Sequence, residues 1–213
     1  MGCDGDRLYF DGSAMISLNG HLLAQSPQFS VKQVEVITAT IDLDLIQILR
    51  GNRPSFTNQA AAANNIFPFK YSKIDATEIS LCHSEEKSFK IPVTQVVEPF
   101  YHPEDEEIGL GPALWMWDYL RKSGAGGFYI PLSGGLDSCS CALIIYTMCR
   151  KLAENYEFIK EDLKKILGSD DDNVLANPRE ICNKLLYTCY LGTSNSTELS
   201  RLRAQNLAKD INS

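Results

Sequence analysis

Apolar and polar positions alternate with a period of two through the early part of the chain. Over residues 7–42, Leu8, Phe10, Ala14 and Ile16 share one parity, with Gly12 as a bulge or tight turn. Asn19-Gly20 lies between two short apolar runs, the pairing that a two-residue hairpin turn demands. Val34, Val36, Thr38 and Thr40 alternate with Ile37 and Ile41, which predicts a β-branched strand. Asp42 then stands where it can cap a short helix ending near Gly51. Residues 52–103 are proline-rich and weakly periodic; they predict a connector with strands near 74–81 and 94–98.

From Pro103 the period lengthens. Glu104, Asp105, Glu106 and Glu107 suit the positive end of a helix dipole. Leu110, Ala113, Leu114, Trp117 and Leu120 follow at helical spacing. Gly124, Gly126 and Gly127 close that helix and open a strand over 128–132. A second apolar helix is predicted over about 138–155, an exposed acidic loop at Asp170, Asp171 and Asp172, and further helices near 178–190 and 197–211. Helix, strand, loop and helix in this order predict a doubly wound α/β segment.

Composition narrows the possibilities. The chain has 213 residues, 20 Lys plus Arg against 27 Asp plus Glu, and a net charge of −7. Hydrophobic residues at 44% and charged residues at 22% are ordinary globular values, which exclude a disordered, collagenous or coiled-coil chain. The length suits one large domain, two small ones, or pieces of larger ones. A negative balance argues against a general nucleic-acid binder, and no apolar run approaches the roughly 20 residues that cross a bilayer. The opening MGCDGDRLYF has neither the basic nor the apolar part of a secretory signal, and Asp6 stands where the N-acylation pattern at Gly2 wants Ser or Thr. The 7 cysteines, odd in number and irregularly spaced, read as reduced thiols of a cytoplasmic protein. Cys139, Cys141 and Cys149 lie on an apolar helix without zinc-ligand spacing and are expected to be buried. His83 and His102 are expected as hydrogen-bonded or solvated loop histidines, and Trp115 and Trp117 as packing residues.

The chemistry concentrates in Pro131-Leu132-Ser133-Gly134-Gly135-Leu136-Asp137-Ser138, where an apolar strand turns into an apolar helix. The first amides of a helix lack internal acceptors, and Gly134 and Gly135 let the backbone turn sharply and come close to a ligand. Ser133 and Ser138 add hydroxyls. Together these groups suit a phosphate or pyrophosphate. Asp137 among anion-binding amides would repel that phosphate unless a magnesium ion bridges carboxylate and phosphate oxygens. Neither a Walker A lysine nor a G-x-G-x-x-G fingerprint is present here.

Ser133 to Ser138 resembles the SGGxDS loop of the N-type ATP pyrophosphatases. Tyr101-His102-Pro103, Leu110-Gly111-Pro112-Ala113, Trp115, Trp117-Asp118, Leu120-Arg121, Arg179-Glu180-Ile181-Cys182 and Thr188-Cys189-Tyr190 extend the likeness to eukaryotic glutamine-dependent NAD synthetases. Gly2 to Tyr9 and Asp11-Gly12 resemble the later part of that family's nitrilase-like glutaminase domain. The resemblance implies a fold in two parts: the end of an αββα nitrilase-like domain with its connector over 1–98, and the start of a doubly wound ATP pyrophosphatase domain over 99–213. It also implies ATP-dependent amidation of nicotinic acid adenine dinucleotide through an adenylated intermediate, with ammonia from glutamine.

In that reading residues 131–138 bind ATP, Ser133 and Asp137 act in catalysis, and Asp137 holds Mg2+. No nucleic acid or membrane is involved, and the full-length enzyme forms homo-oligomers. The family's Glu, Lys and Cys glutaminase triad lies upstream of the segment matched by Gly2 onward, so Cys3 is not its nucleophile, and family members continue past the helix ending near Ser213. Thr193-Ser194-Asn195-Ser196 either caps a helix or, with Arg203, contacts nucleotide. Two rivals remain at this point. Another amide-forming pyrophosphatase would release pyrophosphate with a different acceptor. A non-catalytic interaction fragment would use neither ammonia nor glutamine.

Overall fold

The computed structural model describes residues 2–3, 9–66, 72, 74–75, 77–78 and 91–213. The chain is mixed α/β, with small two-stranded sheets and several helices. Its described residues gather into two compact units, one drawn from Met1–Ser13, Pro27–Glu35 and Tyr101–Ser213, the other from Ala14–Ser26 and Val36–Phe100. Leu8 and His83 lie outside the described residues, as do the side chain of Cys3 and positions 79–81 of one expected strand. No helix among the described residues is long and apolar enough to cross a membrane.

The first unit opens with an antiparallel pair, β1 (Gly2–Cys3) and β2 (Tyr9–Phe10). In the second unit, β3 (Met15–Leu18) and β4 (His21–Gln25) form the expected hairpin. Asn19 at φ 53° and Gly20 at φ 88° give the type I′ turn, whose twist matches the flanking strands. Ser26 N–H donates to Ala14 O at 2.8 Å and Ser26 Oγ accepts from Ala14 N–H at 2.8 Å, closing the open end. Helix α1 (Leu43–Gly51) starts as expected, with the Asp42 carboxylate accepting from Asp44 N–H.

Three expectations about residues 34–98 are corrected. The alternating run 34–41 forms no strand, and Val34 and Val36 are 71% and 75% exposed. A strand needs a partner edge, and among the described residues this segment finds one only at Thr40. There Thr94 N–H donates to Thr40 O at 2.9 Å and Thr40 N–H donates to Thr94 Oγ1 at 2.8 Å. Residues 94–98 are likewise extended without a ladder, and Ile74 is exposed outside any strand. The supposed connector also contains helix α2 (Pro54–Ile66). Proline suits a first helical position, and Ala60 to Ala63 carry the highest helix propensity, a signal that periodicity alone passes over.

The core of the first unit is built by α3 (Glu104–Ser123), which ends on Gly124 in the left-handed conformation, and by α4 (Leu136–Glu154). Leu110, Ala113, Leu114, Trp117 and Leu120 form the buried stripe of α3, facing Ala142, Ile145, Met148, Cys149 and Leu152 of α4. Trp117 is fully buried, as expected of a packing residue, and its Nε1 donates to Val31 O at 3.1 Å. Segment 27–35 is held in the same unit by the buried Gln28. Its Nε2 donates to Asp11 Oδ2 (2.8 Å) and Glu107 Oε1 (3.2 Å), and its Oε1 accepts from His102 N–H (2.6 Å).

Strand β5 (Phe128–Pro131) pairs in parallel with β6 (Leu186–Cys189). The expected helix over 178–190 is therefore too long: α7 (Pro178–Leu185) stops where Leu186 turns extended, because the run Leu-Tyr-Thr-Cys finds β5 as a partner. Between the strands lie α5 (Tyr156–Leu167), unforeseen in the sequence although Ile159, Leu163 and Leu167 bury one face, and the short α6 (Asp172–Leu175), capped by Asp171. The acidic loop thus shrinks to the approach to α6. Lys160 pairs with Asp172 at 2.7 Å and Lys164 with Asp170 at 3.2 Å. Helix α8 (Glu198–Ile211) follows β6. On β5 and β6, Tyr129 and Tyr187 stand in register on one sheet face, 63% and 60% exposed.

Leu163 is fully buried. Leu163→Ala is expected to cost about 2–5 kcal/mol in urea unfolding, while Glu161→Ala on the exposed side changes stability by less than about 0.5 kcal/mol. Equal effects of the two would contradict the buried face assigned to α5.

Candidate functional site: the loop between β5 and α4

Residues 131–138 fall where the sequence puts them, at the carboxyl end of a parallel strand and the start of a helix. The helix begins at Leu136, two residues before the expected start. Pro131 ends β5, and the buried Leu132 extends the ladder by one bond, its N–H donating to Cys189 O at 2.7 Å. The carboxyl ends of β5 and β6 are therefore neighbours, the edge at which open parallel sheets bind ligands.

The loop is tied by its own hydroxyls. Ser133 N–H donates to Ser138 Oγ at 3.2 Å, and the two hydroxyl oxygens lie 2.9 Å apart. Gly135 N–H donates to Ser133 Oγ at 3.2 Å. Gly135 O in turn accepts from Ser138 Oγ (3.3 Å) and Cys139 N–H (3.2 Å). Of the Gly134 and Gly135 amides, expected to hold pyrophosphate, that of Gly135 is thus already engaged, as is the Ser133 amide. The N–H groups of Leu136, Asp137 and Ser138 form the first turn of α4 and have no acceptor within the helix. Leu136 is 82% exposed, and the Asp137 carboxylate is exposed with no cation of the described residues paired to it.

Gly134 has a different neighbour from the one the sequence suggests. At φ 76° it adopts a conformation that favours glycine, and a Cβ built on it would lie 2.0 Å from the Ser200 carbonyl oxygen. The close approach is made to the first turn of α8. That turn is capped by Thr197, whose Oγ1 accepts from Ser200 N–H at 3.2 Å. The preceding Thr193 to Ser196 fold into a turn, with Ser196 N–H donating to Thr193 O at 3.0 Å. Arg203 is exposed on α8. Sequence reasoning missed β6 and Ser200 as neighbours of the loop; the aromatic and threonine-bearing run Leu186 to Tyr190 was the available signal.

Other candidates sort by environment. His102 accepts or donates at Nδ1 with Glu106 Oε2, 2.7 Å away. Trp115 packs on Tyr119 with ring centroids 5.8 Å apart. The expectation of buried thiols on α4 holds for Cys149 but not for Cys141, which is exposed, or for the half-buried Cys139. The helix is only apolar on the face turned to α3 and α7, and Cys141 lies off that face. Cys149 is pushed well above the usual thiol range by its hydrogen bond with Cys182 and by burial. Its contribution to stability is therefore complete below the unfolded thiol value of about 8.5 and is lost as pH rises through the folded value. An alkylating reagent at neutral pH is expected to label Cys141 in the native chain and Cys149 only on unfolding, read by peptide mass mapping. Equal labelling rates would contradict this packing.

No family model matches the chain. The chain does match proteins named glutamine-dependent NAD(+) synthetase along its whole length. It is 44% identical over 218 residues to that of Saccharomyces cerevisiae, 42% over 218 to that of Dictyostelium discoideum and 40% over 216 to that of Homo sapiens. These alignments take in 100% of this chain but 30%, 29% and 29% of the relatives, so the chain spans less than a third of their length.

Proposed function

We propose that the chain carries the ATP-handling loop of a glutamine-dependent NAD(+) synthetase, with residues 99–213 as the start of a doubly wound pyrophosphatase domain and 1–98 as the end of a nitrilase-like glutaminase domain with its connector. The observation that carries the reading is the strand–loop–helix at Ser133 to Ser138, set at the carboxyl edge of parallel strands, in a chain 44% identical to such a synthetase throughout. The reaction is amidation of nicotinic acid adenine dinucleotide. Its carboxylate attacks the α-phosphate of ATP and pyrophosphate leaves. Ammonia from glutamine then displaces AMP to give NAD.

The chain's own groups suit the first step. The free amides of Leu136, Asp137 and Ser138 and the positive end of α4 would hold the departing pyrophosphate. Each hydrogen bond to a charged oxygen contributes about 1.5–3 kcal/mol, and the helix dipole about 0.3–1 kcal/mol. Rotation of the Ser133 and Ser138 hydroxyls, now 2.9 Å apart, adds two donors without moving the backbone. Positioning and charge stabilisation supply the rate, with no protein nucleophile.

Asp137 fits a magnesium role: its carboxylate is exposed, unpaired by any described cation and set beside the anion-binding amides. Among the described residues no group of three or more His, Cys, Asp or Glu side chains converges, so the remaining ligands would come from phosphate oxygens and water. Bound there, magnesium would supply neutralisation of the charge on pyrophosphate.

The variant Asp137→Asn is expected to weaken Mg·ATP binding by roughly tenfold or more in calorimetric titration, the size of one charge-assisted contact, while ATP binding in excess chelator becomes tighter, because the carboxylate no longer repels the phosphates. Equal Mg·ATP affinity in the two proteins would refute the metal role. Pyrophosphate release promoted by nicotinic acid adenine dinucleotide, and not by other carboxylate acceptors, tests the substrate.

A further inference from the structure

Near Gly134, a short chain of contacts runs through groups that the nucleotide reading does not use. Gly134 is wedged against the Ser200 carbonyl, so the position of the loop backbone follows the position of the first turn of α8. A side-chain contact ties that turn to the segment after β6: the Tyr190 hydroxyl lies 3.1 Å from Ser200 Oγ, while Ala204 and Ile211 further along α8 are buried in the core. The direction of this bond is determined by proton count. Ser200 Oγ has a single proton, which it donates to Thr197 O at 2.7 Å. Thr197 Oγ1 donates to Ser200 Oγ at 3.2 Å while accepting from Ser200 N–H. Ser200 Oγ is therefore an acceptor toward Tyr190, and Tyr190 is the donor.

Tyr190 directly follows β6, and β6 is bonded to β5 up to Leu132. The contacts close into a ring: β5 leads to the loop, the loop abuts Ser200, Ser200 is held by Tyr190, and Tyr190 returns through β6 to β5. Opening the ring at the Tyr190–Ser200 link would leave each backbone segment intact and α8 packed through Ala204 and Ile211, while loosening the first turn against which Gly134 is wedged.

We infer that Tyr190 and Ser200 are positioning residues that set the geometry of the Ser133–Ser138 loop for its phosphate ligand. Neither touches the reacting atoms; Tyr190 acts through Ser200, and Ser200 through the backbone of Gly134. The consequence for nucleotide binding rests on the reading of the loop as an ATP site, whereas the brace itself does not.

The test compares the full chain with Tyr190→Phe, Ser200→Ala and the double variant, by amide hydrogen exchange in NMR and by titration with Mg·ATP. Ser200→Ala keeps the backbone N–H that Thr197 caps, so the helix start survives in each variant. Exchange at the bonded amides of Leu132, Ser133 and Gly135 is expected to rise roughly fivefold in either single variant, the scale of one neutral hydrogen bond. The double variant should exchange no faster than Ser200→Ala alone, because that change already removes the Tyr190 link along with the Ser200 Oγ bonds to Thr197. Amides in the second half of α4 and in α7 should be unchanged, and Mg·ATP affinity should fall by a similar factor. Unchanged exchange at the loop, additive effects in the double variant, or acceleration spread evenly over the core would each overturn the brace. Exchange that behaves as expected in a chain with no affinity for Mg·ATP would uphold the brace and refute the ATP reading alone.

Discussion

The parallel ladder between β5 and β6 is the constraint on which the rest of the first unit depends. It sets two strand ends side by side and continues one bond beyond β5, from Leu132 N–H to Cys189 O. What leaves those ends is then forced into one place: the loop into α4 from the first strand, and Tyr190 with the turn into α8 from the second. Helix α4 packs on β5 and α7 on β6, and the apolar core that these helices share supplies the free energy that keeps two short strands together. The loop's chemistry is local in sequence, but its shape is a product of this non-local pairing.

The same geometry gives Gly134 and Gly135 separate roles. Gly134 is required by a positive φ and by the carbonyl of Ser200, which leave no room for a side chain. Gly135 is the N-cap of α4 with extended backbone, its carbonyl receiving the first bonds of the helix. The serines at either end bind one another across the loop, so the loop engages its own hydroxyls and the Ser133 and Gly135 amides and keeps the first-turn amides of α4 in reserve. Such a loop needs little rearrangement to exchange an internal hydroxyl contact for a phosphate oxygen, which limits the entropy lost on binding.

The sequence made legible whatever was decided within a few residues. Asn19-Gly20 specified a type I′ hairpin, Asp42 and Gly51 bracketed α1, and the acidic run from Glu104 marked the start of α3, because turn and cap chemistry act locally. The loop of residues 133–138 was legible for the same reason. Elements that depend on distant partners were not. Leu186 to Cys189 read as helix until β5 is placed beside them, and Val34 to Ile41 read as a strand although, among the described residues, they meet an edge at Thr40 alone. Helix α2 was hidden by its alanines, which favour helix without marking a face. The neighbour that makes Gly134 necessary lies on α8, beyond any local pattern.

The central claim is that the first turn of α4 offers its amides to the phosphates of ATP. The most direct measurement is a two-dimensional amide NMR titration of the chain with Mg·ATP and, separately, with magnesium pyrophosphate. The account predicts saturable shifts of the Leu136, Asp137 and Ser138 amides with both ligands. Binding of either ligand that leaves those three resonances in place, with shifts elsewhere in the chain, would contradict it.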